Sequence, residues 1–180
     1  MIHGFRVEQW IGPAVEEARV AADRKQLQRL KRLGVRSTLS GGGPSVPEGF
    51  FEKDPEARWF GTGRFQKYIR ESTTQLLRRF PEADALEIYL WETPLLNDAD
   101  FFKGMGWLPR VRAFSAAEPW MSPAGMIAEL LTAYARGAEV TGKDFMLLTF
   151  AHFPAQERLL IDALKLVDPK VPMLLIHKGQ

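Results

Sequence analysis

Four short apolar runs alternate with four stretches of helical period along this chain, and that alternation leaves few folds open to it. Residues 13–33 carry apolar side chains at Val20, Leu27, Leu30 and Leu33. Pro13 suits the first turn of such a helix and Gly34 its end. A short strand is predicted over 35–39, running into Gly41-Gly42-Gly43-Pro44. After Gly63, the spacing of Phe65, Tyr68, Ile69, Leu76, Leu77 and Phe80 predicts a second helix, which Pro81 ends. Thr73 and Thr74 weaken its propensity. Residues 85–91 (ALEIYLW) read as a buried strand.

Residues 93–120 form a long irregular stretch rich in aromatics, glycine and proline. A loop of that length inside a compact domain is functional or disordered, and its aromatic content argues against disorder. Ser122 is a plausible N-cap with Pro123 at the first helical position. A helix then runs to about Thr141 through Met126, Ile127, Leu130, Leu131 and Tyr134, with Gly142 closing it. A strand over 145–150, a helix from Pro154 through Leu166 and a strand over 171–176 follow.

Strands separated by helices of this length predict βαβ units, a parallel sheet and hence an α/β fold. A complete (β/α)8 barrel takes roughly 250 residues. The 180 residues here supply about four βα units. The expected architecture is therefore a single domain over 1–180, a partial (β/α)8 TIM-barrel-like unit, with a smaller open sheet as the rival. The ending soon after a strand favours the partial barrel. Its open sheet edges call for an oligomeric partner or a missing barrel half.

Composition narrows the function classes. The chain has no cysteine, which excludes disulfides, thiolate zinc sites and cysteine nucleophiles. Lys plus Arg number 24 against 22 Asp plus Glu, so the net charge of +2 is slim. The run Arg24, Lys25, Arg29, Lys31, Arg32 reads as the outer face of a helix. Nucleic-acid binding would want a larger basic surface with interleaved aromatics. Three widely separated histidines do not have metal-ligand spacing, and no cofactor motif is present. The glycines at 41–43 lack the Gly-Lys-Ser/Thr of a phosphate loop. No signal-peptide core and no run of about 20 apolar residues is found. A soluble protein with no membrane partner is expected, cytoplasmic if the chain is complete.

In parallel α/β folds, sites form at the carboxyl ends of strands. Glu92 follows Trp91 at one such end, with Asp98 and Asp100 a few residues on. Two carboxyl groups across a scissile bond, one protonated and one ionised, are what glycoside hydrolysis needs. A carboxyl beside an indole is partly desolvated, which raises its pKa and suits a general acid. Trp91, Trp107 and Trp120 offer faces on which sugars stack. The competing reading has Glu92 paired with an arginine or capping a loop, and Asp98 and Asp100 serving as turn residues.

Strict alternation sets Leu86, Ile88 and Leu90 on one face and Glu87, Tyr89 and Trp91 on the other. The aliphatic face should meet the helices and the polar-aromatic face the barrel interior. Glu92 then reaches the site only if the strand bends at its end, as a turn at Pro94 would allow. Glu87 reads as structural. His152, just past a strand, suits a general base or a substrate hydrogen bond. His177 and Lys178, ending the last strand, suit a ligand hydroxyl or carboxylate.

Residues 46–58 (VPEGFFEKDPEAR) and 76–93 (LLRRFPEADALEIYLWET) resemble the TIM-barrel glycoside hydrolases near the α-glucuronidase and hexosaminidase groups. In those barrels a helix ending in Phe-Pro-Glu leads to a strand whose end carries an acidic residue, as Phe80-Pro81-Glu82 leads here to Glu92. Residues 144–179 are similar to a later βαβ unit of such barrels. The resemblance implies cleavage of glycosidic bonds, including those to uronic acids. Without it, the residues leave open a glycosidase with Glu92 as acid and Asp98 or another group as partner, or a carbohydrate-binding or assembly module. A sugar-phosphate enzyme would need a phosphate nest that is not found.

Overall fold

The computed structural model describes residues 14–40, 63–88, 122–142, 146–151, 154–168 and 172–177. Helix and strand alternate through it in the order α1 (Ala14–Arg32), β1 (Thr38–Ser40), α2 (Gly63–Arg79), β2 (Ala85–Ile88), α3 (Pro123–Glu139), β3 (Met146–Ala151), α4 (Pro154–Leu166) and β4 (Met173–His177). The four strands form one sheet in the order β1-β2-β3-β4, and every pairing is parallel. The α/β class read from the alternation is the class observed.

Local chemistry sets the element ends. Gly34 takes φ +70°, a left-handed conformation that glycine adopts at no steric cost. The N–H of Gly34 reaches the Lys31 carbonyl and that of Val35 the Leu30 carbonyl, both at 3.0 Å. This paired closure is the Schellman end of α1. It holds Val35 on the helix, so β1 begins at Thr38 and not at Val35 as the apolar run suggests. Ser37 intervenes as well. Its N–H donates to the Asp84 carboxylate at 2.8 Å, and its carbonyl accepts from the N–H groups of Asp84 and Ala85. That clasp starts the β1–β2 pairing.

Ser122 caps α3 as expected: its Oγ accepts from the Gly125 N–H at 3.0 Å, with Pro123 in the first turn. Gly142 follows the helix at φ +63°.

Leu39, Leu86 and Ile88 share one buried cluster with residues from all four helices, among them Leu27, Phe65, Ile69, Leu77, Ile127, Leu131, Leu160 and Ala163. Of the strand residues that alternate with these, Thr38 and Glu87 are half-buried and Ala85 is buried, and all three stand outside the cluster. The described helices therefore pack on one side of the sheet, as the alternation in β2 predicts. Sequential strands laid side by side without reversal, with their crossovers on one side, are wound in a single direction.

Two readings of α1 need correction. Leu33 does not continue its apolar stripe but stands 68% exposed, because six residues on from the buried Leu27 place it about 120° around the helix. Arg24 does not belong to the solvated basic face: it pairs with Glu82 across 58 residues of sequence. Lys25, Arg29, Lys31 and Arg32 are exposed as expected.

The threonines that weaken α2 as a helix serve its packing. Thr73 and Thr74 are buried against α3 where Gly137 lies. The Thr74 hydroxyl is 2.8 Å from the Gly137 carbonyl and 2.9 Å from the Arg70 carbonyl. The Gly137 carbonyl falls among the last four of α3, which have no partner within their own helix. A hydroxyl from the neighbouring helix supplies one.

Candidate functional site

Parallel pairing gives the sheet two unlike edges. The strands begin at Thr38, Ala85, Met146 and Met173, and the last described strand residues are Ser40, Ile88, Ala151 and His177. The register aligns Ser40 with Glu87, Glu87 with Leu148, and Leu148 with Leu174. Further along, Ala151 pairs with His177. His177 is therefore a β4 residue at the carboxyl edge, one position beyond the end expected from its sequence.

Of the site residues expected from the sequence, His177 alone falls within the described elements, and there it is placed by its backbone pairing. Glu92, Asp98, His152, Trp91, Trp107 and Lys178 lie outside the described residues, as do Asp100 and Trp120. In the chain, His152 directly follows Ala151, the partner of His177, and Glu92 comes four residues after Ile88. Glu87, read from the sequence as a buried carboxylate, is half-buried on the sheet face away from the helices.

The opposite edge carries a polar cluster that the sequence did not reveal. Glu82 is buried in the turn between α2 and β2. Arg24 donates to both of its carboxylate oxygens, with Nε 3.1 Å from each and Nη2 2.8 Å from Oε1. Gln28, one turn further along α1, adds an amide hydrogen bond at 2.9 Å. Burial alone would push this carboxyl up. The hydrogen bonds from Arg24 and Gln28, a backbone bond and the guanidinium charge outweigh it and hold Glu82 down at about 2. The same contact raises the Arg24 pKa.

Such a carboxylate is ionised at any ordinary pH, so it has no proton to give, and its low pKa makes it a weak general base. It sits where strands begin, the edge that serves stability in parallel α/β folds. Glu82 ties α1 to the α2–β2 turn. Its partner could not be found from sequence spacing, since Arg24 looks like its neighbours in a basic helix. The Glu17–Arg79 pair adds a second, exposed link between α1 and α2.

Two further features are chemically quiet. Tyr134 is buried in α3, and burial, with Tyr68 nearby, pushes its phenol well above the usual range. It is a neutral core side chain. Among the described residues, no group of three or more His, Asp or Glu comes together to hold a metal, and no helix is long and apolar enough to cross a membrane.

Fold and edges together define a parallel α/β protein of single winding direction, with His177 at the carboxyl edge and an ion pair at the other. Compared with protein families, with curated proteins and with solved structures, the chain matches none.

Proposed function

We propose that this chain is part of a (β/α)8-type barrel that acts on carbohydrate at the carboxyl edge of its strands, with Glu92 as general acid. The observation that carries the reading is the strand order β1-β2-β3-β4, parallel throughout, with the described helices on one side. A doubly wound sheet reverses its strand order at a switch point, whereas a barrel does not. Four strands are half of a barrel's eight. The rest would come from residues outside those described, from adjoining chain or from a partner copy.

The roles follow from residue chemistry. Glu92, next to Trp91 in the chain, is the general acid that delivers a proton to the leaving oxygen. Asp98 is the nearest candidate for the ionised partner. His152, which follows Ala151 in the chain, and His177, which pairs with Ala151, are the candidates for holding hydroxyl groups. Trp91 and Trp107 would stack on sugar faces, and Lys178 would meet a uronic carboxylate.

The test is hydrolysis of a panel of alkyl glycosides and disaccharides, uronides included, whose basic leaving oxygens need protonation, by the full-length protein and by its Glu92→Gln variant. Loss of a general acid costs about 10²- to 10⁴-fold in rate. Equal rates in the two proteins remove Glu92 from the mechanism. Saturable sugar binding without turnover in either protein replaces the hydrolase with a binding module.

A further inference from the structure

A cleft of about 80 Å³ opens on the solvent side of the helix layer, between α2 and α3. Gln66, Lys67 and Arg70 line it from α2, and Thr132, Ala133 and Arg136 from α3. Three of these six carry positive charge, and none carries negative charge. Two carboxylates stand at its margin: Glu71 pairs with Lys67 at 3.8 Å, and Glu129 keeps its charge while accepting a hydrogen bond from the neutral Gln66 amide. The Lys67–Glu71 pair is exposed on both sides and of the i,i+4 kind, so it holds Lys67 weakly. Among the described residues neither Arg70 nor Arg136 has an ion-pair partner. The first turn of α2, which begins at Gly63 on the cleft wall, has no acidic side chain.

The two arginines are held near each other by the backbone. Gly137, next to Arg136, approaches the Arg70 carbonyl so closely that a Cβ there would stand 2.6 Å from it. The helices cannot spread the charges apart without giving up this contact. Like charges kept together repel, by an amount that an anion between them would reverse.

We propose that this cleft binds a phosphoryl group. A single carboxylate is satisfied by one bidentate arginine, whereas two guanidinium groups and an ammonium match the three or four oxygens and double charge of a phosphate. The Thr132 hydroxyl is a further donor on the same wall. The volume suits a few water-sized groups, the scale of one phosphoryl rather than a whole sugar or nucleotide. The group is carried either by inorganic phosphate or by a phosphorylated small molecule whose remainder stays in solvent. This site lies on the helix layer, so it stands or falls apart from the carbohydrate reading.

The test is titration of the full-length protein at constant ionic strength, followed by amide chemical shifts, with inorganic phosphate and with phenyl phosphate. Arg70→Gln and Arg136→Gln are compared with wild type and with Arg29→Gln, which removes an exposed α1 cation outside the cleft. All three positions are exposed, and unchanged melting curves establish that the variants fold. Saturable shifts are expected at α2 and α3, with affinity about tenfold weaker in each cleft variant, a change of about 1.4 kcal/mol, and unchanged in Arg29→Gln. Tighter binding of phenyl phosphate assigns the site to a phosphorylated molecule, and equal binding assigns it to the free ion. Shifts that never saturate, affinity retained in both cleft variants, or equal loss in Arg29→Gln would overturn the proposal.

Discussion

Gly137 in α3 and Arg70 in α2 meet backbone to backbone: a Cβ on Gly137 would lie 2.6 Å from the Arg70 carbonyl oxygen and 2.7 Å from the Thr73 Cβ. Neither neighbour can swing aside, one being main chain and the other the stiff branch point of a buried threonine. Gly137→Ala gains up to about 1 kcal/mol of helix propensity. Overpacking of this kind costs about 1–3 kcal/mol. We expect the clash to win, with a net loss of about 1–2 kcal/mol in chemical denaturation. A stabilised Gly137→Ala protein would mean that α2 and α3 do not approach this closely.

Thr74→Val keeps the shape of that contact and removes its one proton. The Gly137 carbonyl then stays buried without its cross-helix donor. A lost hydrogen bond of this type costs about 1 kcal/mol, more where the acceptor has no water to turn to. Equilibrium unfolding should show a loss of about 1–2 kcal/mol, and Thr74→Ser should recover most of it.

Glu82 gives the fold a pH dependence whose sign can be worked out. Its pKa is about 2 in the folded protein against 4.5 for the unperturbed group. The folded state therefore binds the proton more weakly than the unfolded chain. The stabilisation is fully present above pH 4.5 and is lost as pH falls toward 2. Arg24 is 42% exposed, so solvent screens its share and the net worth of the cluster is about 1–2 kcal/mol. Glu82→Gln should be less stable than wild type by that amount at neutral pH, with the gap closing between pH 4.5 and 2. A gap that stays constant over that interval would show that the charge on Glu82 does not matter.

Elements whose ends are written in local residues were legible in the sequence. The helix from Pro154 to Leu166 has the predicted bounds, and Ser122 caps α3 as its position suggests. Alternation in residues 85–88 correctly separated the face of Leu86 and Ile88 from that of Glu87. What sequence could not show was set by contacts between distant segments. β1 starts late because Asp84 clasps Ser37, 47 residues away. Thr73 and Thr74 look like poor helix residues until Gly137 is seen against them. Glu82 reads in the sequence only as the end of the Phe80-Pro81-Glu82 run, and its partner Arg24 as one more solvated cation.

At the site the limit is different. Glu92 and its neighbours are strand-end candidates by position in the sequence, and among the described residues His177 stands at that edge.

The parallel course of neighbouring strands underlies both edges of this account, and the absence of cysteine makes it directly testable with introduced thiols. Ala151 is level with His177, while Met173 is level with Leu147. Along β3, residues 147 and 151 are four apart, about 13 Å. Treatment of the Ala151→Cys/His177→Cys protein with a short bis-thiol reagent should give rapid intramolecular cross-linking. The Ala151→Cys/Met173→Cys protein should stay unlinked. Antiparallel strands centred on the same residues would bring 151 level with 173, so the reverse pattern would contradict the parallel sheet and the shared strand-end site with it.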